Sequence, residues 1–351
     1  MKILVTGGAG YIGSLLAYHL IKEGHDVSIL DNLVYNQKSL ERLDYSLGNG
    51  VFVKETLKMG QLGEKKAYSH FKFANIDTTD KIALTNFFDG DRFDIVFHLA
   101  ELVGVPVCNQ DPIRTRKINF EGTKNVIDLT ERMGAKLIYN SSSSVYGLQK
   151  TDALVDEDAE IPEPTDEYVR NKLLVEEYLR TKGKLNYIIT RPATVGGLSF
   201  RMRTTLLPHH FVYAGAVDNS FILSNPGHYR AVIHIDDLVS AYLAILANHK
   251  NINNQIYNLG NNKLNLKKVE FLKMISDRIP EFKVTTKYGY GDIRNLRISS
   301  DKFSRDFGFI AAKGFDEMIT PLIELYTENP TIFEGEEFDN VPLSVRKELM
   351  G

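Results

Sequence analysis

The chain has 351 residues, 43% hydrophobic and 25% charged, proportions that exclude a disordered or collagen-like protein. Lys+Arg 42 against Asp+Glu 45 leaves a formal charge of −3, so no broad basic surface for nucleic acid is implied, and no apolar run is long enough for a membrane span. The length leaves room for two domains, and the single cysteine, Cys108, which lacks an internal disulfide partner, fits a reducing, cytoplasmic setting.

Taken in chain order, Lys2–Thr6 reads as a buried strand and Tyr11–Glu23 as a helix with Ile12, Leu15, Leu16 and Leu20 on one side. Asp26–Leu30 is a second strand, and Phe71–Asn75, Phe93–His98, Lys136–Asn140 and Asn186–Arg191 are further ones. Helical patterns lie between them at Asp80–Phe88, Pro112–Met133 and Thr165–Lys182. Strict alternation of strand and helix predicts an α/β fold, a doubly wound parallel sheet with helices on both faces. Gly48–Lys66 is polar and poorly periodic and reads as a surface insertion. After Pro192, glycines and prolines break the chain into short pieces. A capped helix is expected at Asp236–Asn248, a strand at Gln255–Leu259, and helices at Leu266–Ile279 and Phe315–Glu328. The tail from Pro330 reads as a docking arm or a frayed end.

Gly7, Gly10 and Gly13 sit between the first strand and the first helix, in Thr6-Gly7-Gly8-Ala9-Gly10-Tyr11-Ile12-Gly13. Glycine at these places permits a tight turn, close approach of backbone to a pyrophosphate, and packing of helix on strand. Asp31 ends the next strand, where a carboxylate accepts both ribose hydroxyls and repels a 2′-phosphate, so NAD is expected over NADP. Tyr11, Ile12 and Asn32 join this cofactor set. Asp77 is placed either on the adenine amino group or, with Asp80, at a helix N-cap. His98-Leu99-Ala100 ends the fourth strand at the ligand-binding edge of the sheet, with His98 read as structural and Leu99 and Ala100 as cofactor contacts.

Asn140-Ser141-Ser142-Ser143-Ser144-Val145-Tyr146 ends the fifth strand, and Tyr168 and Lys172 follow inside a helical pattern. Residues four apart share a helix face, so the phenol and the ammonium point at a common ligand. Lys172 and a positive nicotinamide ring would lower the phenol pKa, and Ser142 would complete the proton path. Tyr-x-x-x-Lys alone carries little weight, because the chain also contains it at Tyr18/Lys22, Tyr68/Lys72, Tyr146/Lys150 and Tyr178/Lys182. Only Tyr168/Lys172 follows a serine-rich strand end and opens a helix.

Together these residues resemble the extended short-chain dehydrogenase/reductase family, in its nucleotide-sugar epimerase and dehydratase branch. Further matching positions are Asn119 with Gly122-Thr123, Arg191-Pro192-Ala193-Thr194-Val195, Arg230 through Asp237, and Asp292-Ile293-Arg294. The resemblance implies a Rossmann-type NAD domain at 1–191 that carries the catalytic residues. It is followed by a smaller α/β nucleotide-sugar-binding domain at 192–351, some of whose elements return to the first. It implies that Tyr168 takes the sugar 4-hydroxyl proton while hydride passes to NAD. It also places Asn119 on the cofactor, and Ser143, Thr194, Arg201, Arg203, Arg230 and Arg294 on the substrate. No metal is implied.

Dehydratases of the branch carry an Asp-Glu pair after the catalytic serine or threonine. Here Ser143 and Ser144 stand there, which points to a 4-epimerase. Leu102–Pro106 and the Arg201-Met202-Arg203 region also resemble a subgroup with GDP-heptose 4-dehydrogenases, so a 4-dehydrogenase or 4-keto-reductase is the alternative. A non-catalytic dinucleotide-binding protein is disfavoured by the intact serine, tyrosine and lysine. Glu101, Val169 and Thr194 depart from the family pattern, the first and third at places that touch the sugar pocket. The resemblance further implies a homodimer joined through the helices near Pro112–Met133 and Thr165–Lys182.

Overall fold

The computed structural model describes residues 1–35, 38–58, 67–149, 152–288 and 294–330. In β1 (Lys2–Thr6), Ile3 and Val5 turn to one face and Leu4 to the other, as a pleated strand buried on both sides requires. The chain continues through α1 (Tyr11–Lys22), β2 (Asp26–Asp31), α2 (Ser39–Asn49), α3 (Val53–Lys58), β3 (Lys72–Asn75), α4 (Lys81–Gly90) and β4 (Ile95–His98). Next come α5 (Val105–Gln110), α6 (Pro112–Arg116), a π-helical turn (Lys117–Gly122), α7 (Thr123–Met133), β5 (Lys136–Asn140), a 3-10 turn (Ser143–Tyr146), α8 (Glu167–Arg180) and β6 (Tyr187–Pro192). The remainder comprises β7 (Thr194–Gly196), α9 (Leu207–Tyr213), β8 (Ser220–Ser224), β9 (Tyr229–His234), α10 (Ile235–Ala247), β10 (Gln255–Leu259), β11 (Asn265–Lys267), α11 (Lys268–Ser276), β12 (Lys283–Lys287), α12 (Asp301–Phe307) and α13 (Phe315–Glu328).

The main sheet has the order β10-β6-β5-β4-β1-β2-β3, and every neighbouring pair is parallel. One face packs on α1 and α10, where Leu15, Leu16, Leu238 and Tyr242 meet Ile3, Val5, Phe97 and Ile138. The other face packs on α4, α7 and α8 through Leu84, Phe88, Val126, Ile127, Val175 and Leu179. The fold is therefore the doubly wound sheet expected, with the chain leaving it at Pro192. Residues 235–259 then return, and β10 adds an edge strand beside β6. Outside the main sheet, β11, β9 and β7 form a small mixed sheet, and β12 pairs with β8. A second core gathers Met202, Phe211, Phe271, Phe315, Met318, Leu322 and Tyr326.

Two expectations change. The helix read at Pro112–Met133 is interrupted by the π-helical turn, whose Gly122 lies so close to Thr78 Oγ1 that a Cβ would sit 2.5 Å from it. The stretch Gly48–Lys66 is not simply a surface insertion. Gly48 and Asn49 close α2, while α3 buries Thr56 and Leu57 and its Lys54 and Lys58 pair with Glu324 and Glu328 of α13. A six-residue helix is too short for periodicity to announce it. Residues 59–66, Asp292 with Ile293, and the tail beyond Pro330 lie outside the described residues.

Candidate active site

The site is built at the carboxyl edge of the main sheet, where the strand ends β1, β2, β4 and β5 open into one cleft of about 950 Å³ that is continuous with solvent. Gly7 adopts φ +69°, and a Cβ there would lie 2.7 Å from Ala100 N, so only glycine lets the loop pass under the end of β4. A Cβ at Gly13 would lie 2.3 Å from Gly7 O, so α1 seats on its own entry loop only with glycine there. Gly10 precedes the first turn of α1, which leaves the helix's free amides facing the cleft. Asp31 receives Ala9 N at 3.1 Å and Leu33 N at 2.9 Å. Burial pushes its carboxyl up, and those two amides pull it back. Gly7, Gly10, Tyr11, Ile12, Gly13, Asp31, Asn32, Asp77, Leu99 and Ala100 all line the cleft. Glycine cradle, helix start and carboxylate together fit a dinucleotide.

Asp77 is not a helix cap. That place belongs to Asp80, which accepts Ala83 N, whereas Asp77 accepts Asn32 Nδ2 at 2.9 Å and Thr79 N at 2.8 Å. Burial raises its carboxyl, but these donors together carry it below the ordinary value. Asn119 accepts Leu102 N and donates to Leu102 O, each at 2.8 Å, and so shapes the cleft by pinning the loop after β4. His98 is structural, as read. It lies between Thr6 Oγ1 at 2.7 Å and Thr123 Oγ1 at 2.8 Å, and burial, then Lys172, lowers its pKa to about 3.

Beside the Asn140 wall of the cleft, the end of β5 delivers Asn140 and the serine run after it, and α8 delivers Tyr168 and Lys172. α8 starts where Asp166 caps it by accepting Val169 N at 2.9 Å. Tyr168 thus falls in its first turn and Lys172 one turn later, with the ammonium 5.6 Å from the Tyr168 ring centroid. Ser142 stands close enough to the Tyr168 phenol to pull its pKa down. Lys172 Nζ donates to Asn140 O and pairs with Glu101, both cleft-lining residues. The three residues the sequence singled out therefore converge beside the dinucleotide groove. The expected depression of the phenol is not a property of the chain alone. Burial raises it, Lys172 and Ser142 lower it, and Glu101 raises it again, leaving Tyr168 above the ordinary value.

The remaining candidates divide into two groups. Arg230, buried on β9, and Arg294 stand near each other and near Lys268 at the start of α11. Burial, then the neighbouring Arg294, lowers the Arg230 pKa; burial, then Arg230 and Arg294, carries Lys268 down to about 7. Arg294 also donates to Ser144 Oγ at 3.3 Å, which joins this cationic group to the serine run. Arg201 and Arg203 form the second group. They line the dinucleotide cleft with Asp31 and Tyr35, and the Arg201 guanidinium lies 4.8 Å from the Tyr35 ring centroid. Ser143 is buried at the head of its 3-10 turn, and Thr194 opens β7 opposite Val232. Sequence reasoning missed Ser144, Lys268 and Tyr35. A lysine beginning a helix and a tyrosine in a loop carry no motif, and Ser144 was read only as a missing carboxylate.

Comparisons with known proteins agree with this geometry. The sequence model of the NAD dependent epimerase/dehydratase family matches residues 3–260. UDP-glucose 4-epimerase GEPI48 of Cyamopsis tetragonoloba is 28% identical, covering 95% of this chain and 97% of its own. The UDP-glucose 4-epimerase of Haemophilus influenzae is 27% identical, covering 94% and 98%. The fold is also that of the Bifidobacterium longum UDP-glucose 4-epimerase solved with NAD+ and UDP, at a TM-score of 0.77 and 22% identity over 95% of this chain and all of that one. Matched over more than half its length, the chain belongs to the NAD dependent epimerase/dehydratase family.

Proposed function

We propose that the protein is an NAD-dependent nucleotide-sugar 4-epimerase. The observation that carries this reading is the convergence of Ser142, Tyr168 and Lys172 beside a dinucleotide cleft, to whose Asn140 and Glu101 Lys172 is bonded, with hydroxyl residues Ser143 and Ser144 where dehydratases carry a carboxyl pair. Two curated relatives named UDP-glucose 4-epimerase, each aligned over nearly its whole length, support it. When bound, NAD supplies a reversible hydride acceptor beside the sugar carbinol.

The chain's own residues then do the following. Tyr168 Oη takes the 4-hydroxyl proton and later returns it, the role of a positioned general acid and base. Ser142 Oγ, close to that phenol, holds the carbinol oxygen in line and relays its proton. Lys172, fixed by Asn140 O and Glu101, presents its charge beside the phenol ring. Arg230, Arg294 and Lys268 hold the substrate diphosphate, to which guanidinium forks are suited. Arg201 and Arg203 face the dinucleotide. In Arg203, Nε is buried without a hydrogen-bond partner, which leaves it to an anionic ligand. Asp31 meets the ribose hydroxyls of NAD.

Tyr168→Phe should retain NAD and lose turnover by about 10²–10⁴-fold or more. Incubation with UDP-, GDP-, CDP- and dTDP-sugars while following nicotinamide absorbance tests the outcome. An epimerase returns the signal to its starting level, and a 4-dehydrogenase leaves reduced cofactor. Full turnover by Tyr168→Phe would sink the mechanism. We further propose a cytoplasmic homodimer joined through α6, α7 and α8, a region in which Ile113 is 84% exposed. Light scattering after size exclusion should give twice the chain mass.

A further inference from the structure

Glu101 is a buried ionic group beside the candidate base that takes no direct part in the proposed proton and hydride transfers. It sits in the loop after β4, its side chain 3% exposed and that of Lys172 2%. Both carboxylate oxygens are engaged: Oε2 meets Lys172 Nζ, and Oε1 accepts the Tyr139 hydroxyl at 2.8 Å. Lys172 donates in addition to Asn140 O. The ammonium is thus held from two sides, and its positive charge has a negative charge in contact with it. At the Tyr168 ring the two charges of such a pair oppose one another, so Glu101 cancels part of the field that Lys172 exerts on the phenol.

The other groups facing this trio leave it as the local charge balance. His98 on β4 is neutral, with its pKa near 3, and burial pushes the Cys108 thiol on α5 up to about 12. Glu176 on α8 is matched by Arg191 through bonds of 3.0 and 2.6 Å. Tyr139 on β5 donates to Glu101, and Arg294 contributes a cation on the substrate side. We propose that Glu101 is a positioning residue that fixes Lys172 against Asn140 and sets the pH at which Tyr168 gives up its proton.

This rests on Tyr168 being the base, but its test needs no sugar nucleotide, so its failure and that of the epimerase reading are separable. The chain has no tryptophan, so tyrosinate absorbance can be followed in the ultraviolet without overlap. Glu101→Gln keeps the side-chain size and the contact with Lys172 while removing the charge. In this variant the Tyr168 phenol should ionise about one pH unit or more below its wild-type position, in addition to a fall at Tyr139, which also bonds to Glu101. The Tyr168 contribution should be missing from Glu101→Gln/Tyr168→Phe, and the acid limb of kcat should move by the same amount. A tyrosinate curve superimposable on wild type in the folded variant, or a shift that persists whole in Glu101→Gln/Tyr168→Phe, overturns the proposal. Should Glu101→Gln not fold, Glu101→Gln/Lys172→Met removes both buried charges together. There, cancellation predicts Tyr168 within about half a unit of wild type; a rise well beyond that, meaning Lys172 acts undiminished, also overturns it.

Discussion

Small residues decide whether the cleft exists at all. Gly13 has no room for a methyl group, since both Gly7 O and Gly8 Cα would lie within 2.8 Å of it and both are backbone atoms. Gly13→Ala should therefore cost about 1–3 kcal/mol of stability through overpacking and weaken NAD binding at least tenfold, as a urea melt and a cofactor titration would measure. At this scale much of the site was legible. Glycine spacing, Asp31, Ser142, Tyr168 and Lys172 announce themselves because one chemistry demands those types in that order. Asn119 and Arg201 were harder to place. That the Asn119 carboxamide pins the Leu102 loop, for one, is visible only in the packing.

Where an element begins can matter more than what it is made of. α11 starts at Lys268, which puts a lysine 2% exposed beside Arg230 and Arg294 and carries its pKa from 10.5 to about 7. Since the folded-state value is depressed, the unfolded chain binds more protons above about 7, and stability should rise with pH from there toward 10.5. A bound diphosphate favours the charged ammonium, so affinity for a nucleoside diphosphate should fall as pH climbs through 7. Lys268→Met should flatten that dependence, as calorimetric titration at several pH values would measure. Elements of ten residues or more, such as α1, α8 and α13, were readable because each repeats its apolar face several times. β7, β11 and α3, at three to six residues, complete no more than a turn or a single alternation, so their sequence carries no period.

The molecule as a whole is stitched across its cleft. Tyr11, the first residue of α1, donates to Gly197 O at 2.8 Å, and its own carbonyl receives Ser199 Oγ at 2.5 Å. Ser14 and Ser199 meet at 3.2 Å, and α3 is salt-bridged to α13. With these ties and one core running from Ile3 to Phe303, thermal unfolding should be a single cooperative transition, with calorimetric and van't Hoff enthalpies in agreement. That α10 and β10 come back to the sheet has a bearing on protein engineering. A truncation at residue 191, which a linear reading invites, strips the β6 border of its neighbour and bares Phe97 and Ile138 to water. Such a fragment should precipitate on expression, whereas a circular permutant that preserves both passes should remain monodisperse. The cofactor half is thus no portable cassette, and new specificity has to be introduced by altering the loops of the intact enzyme rather than by exchanging its lobes.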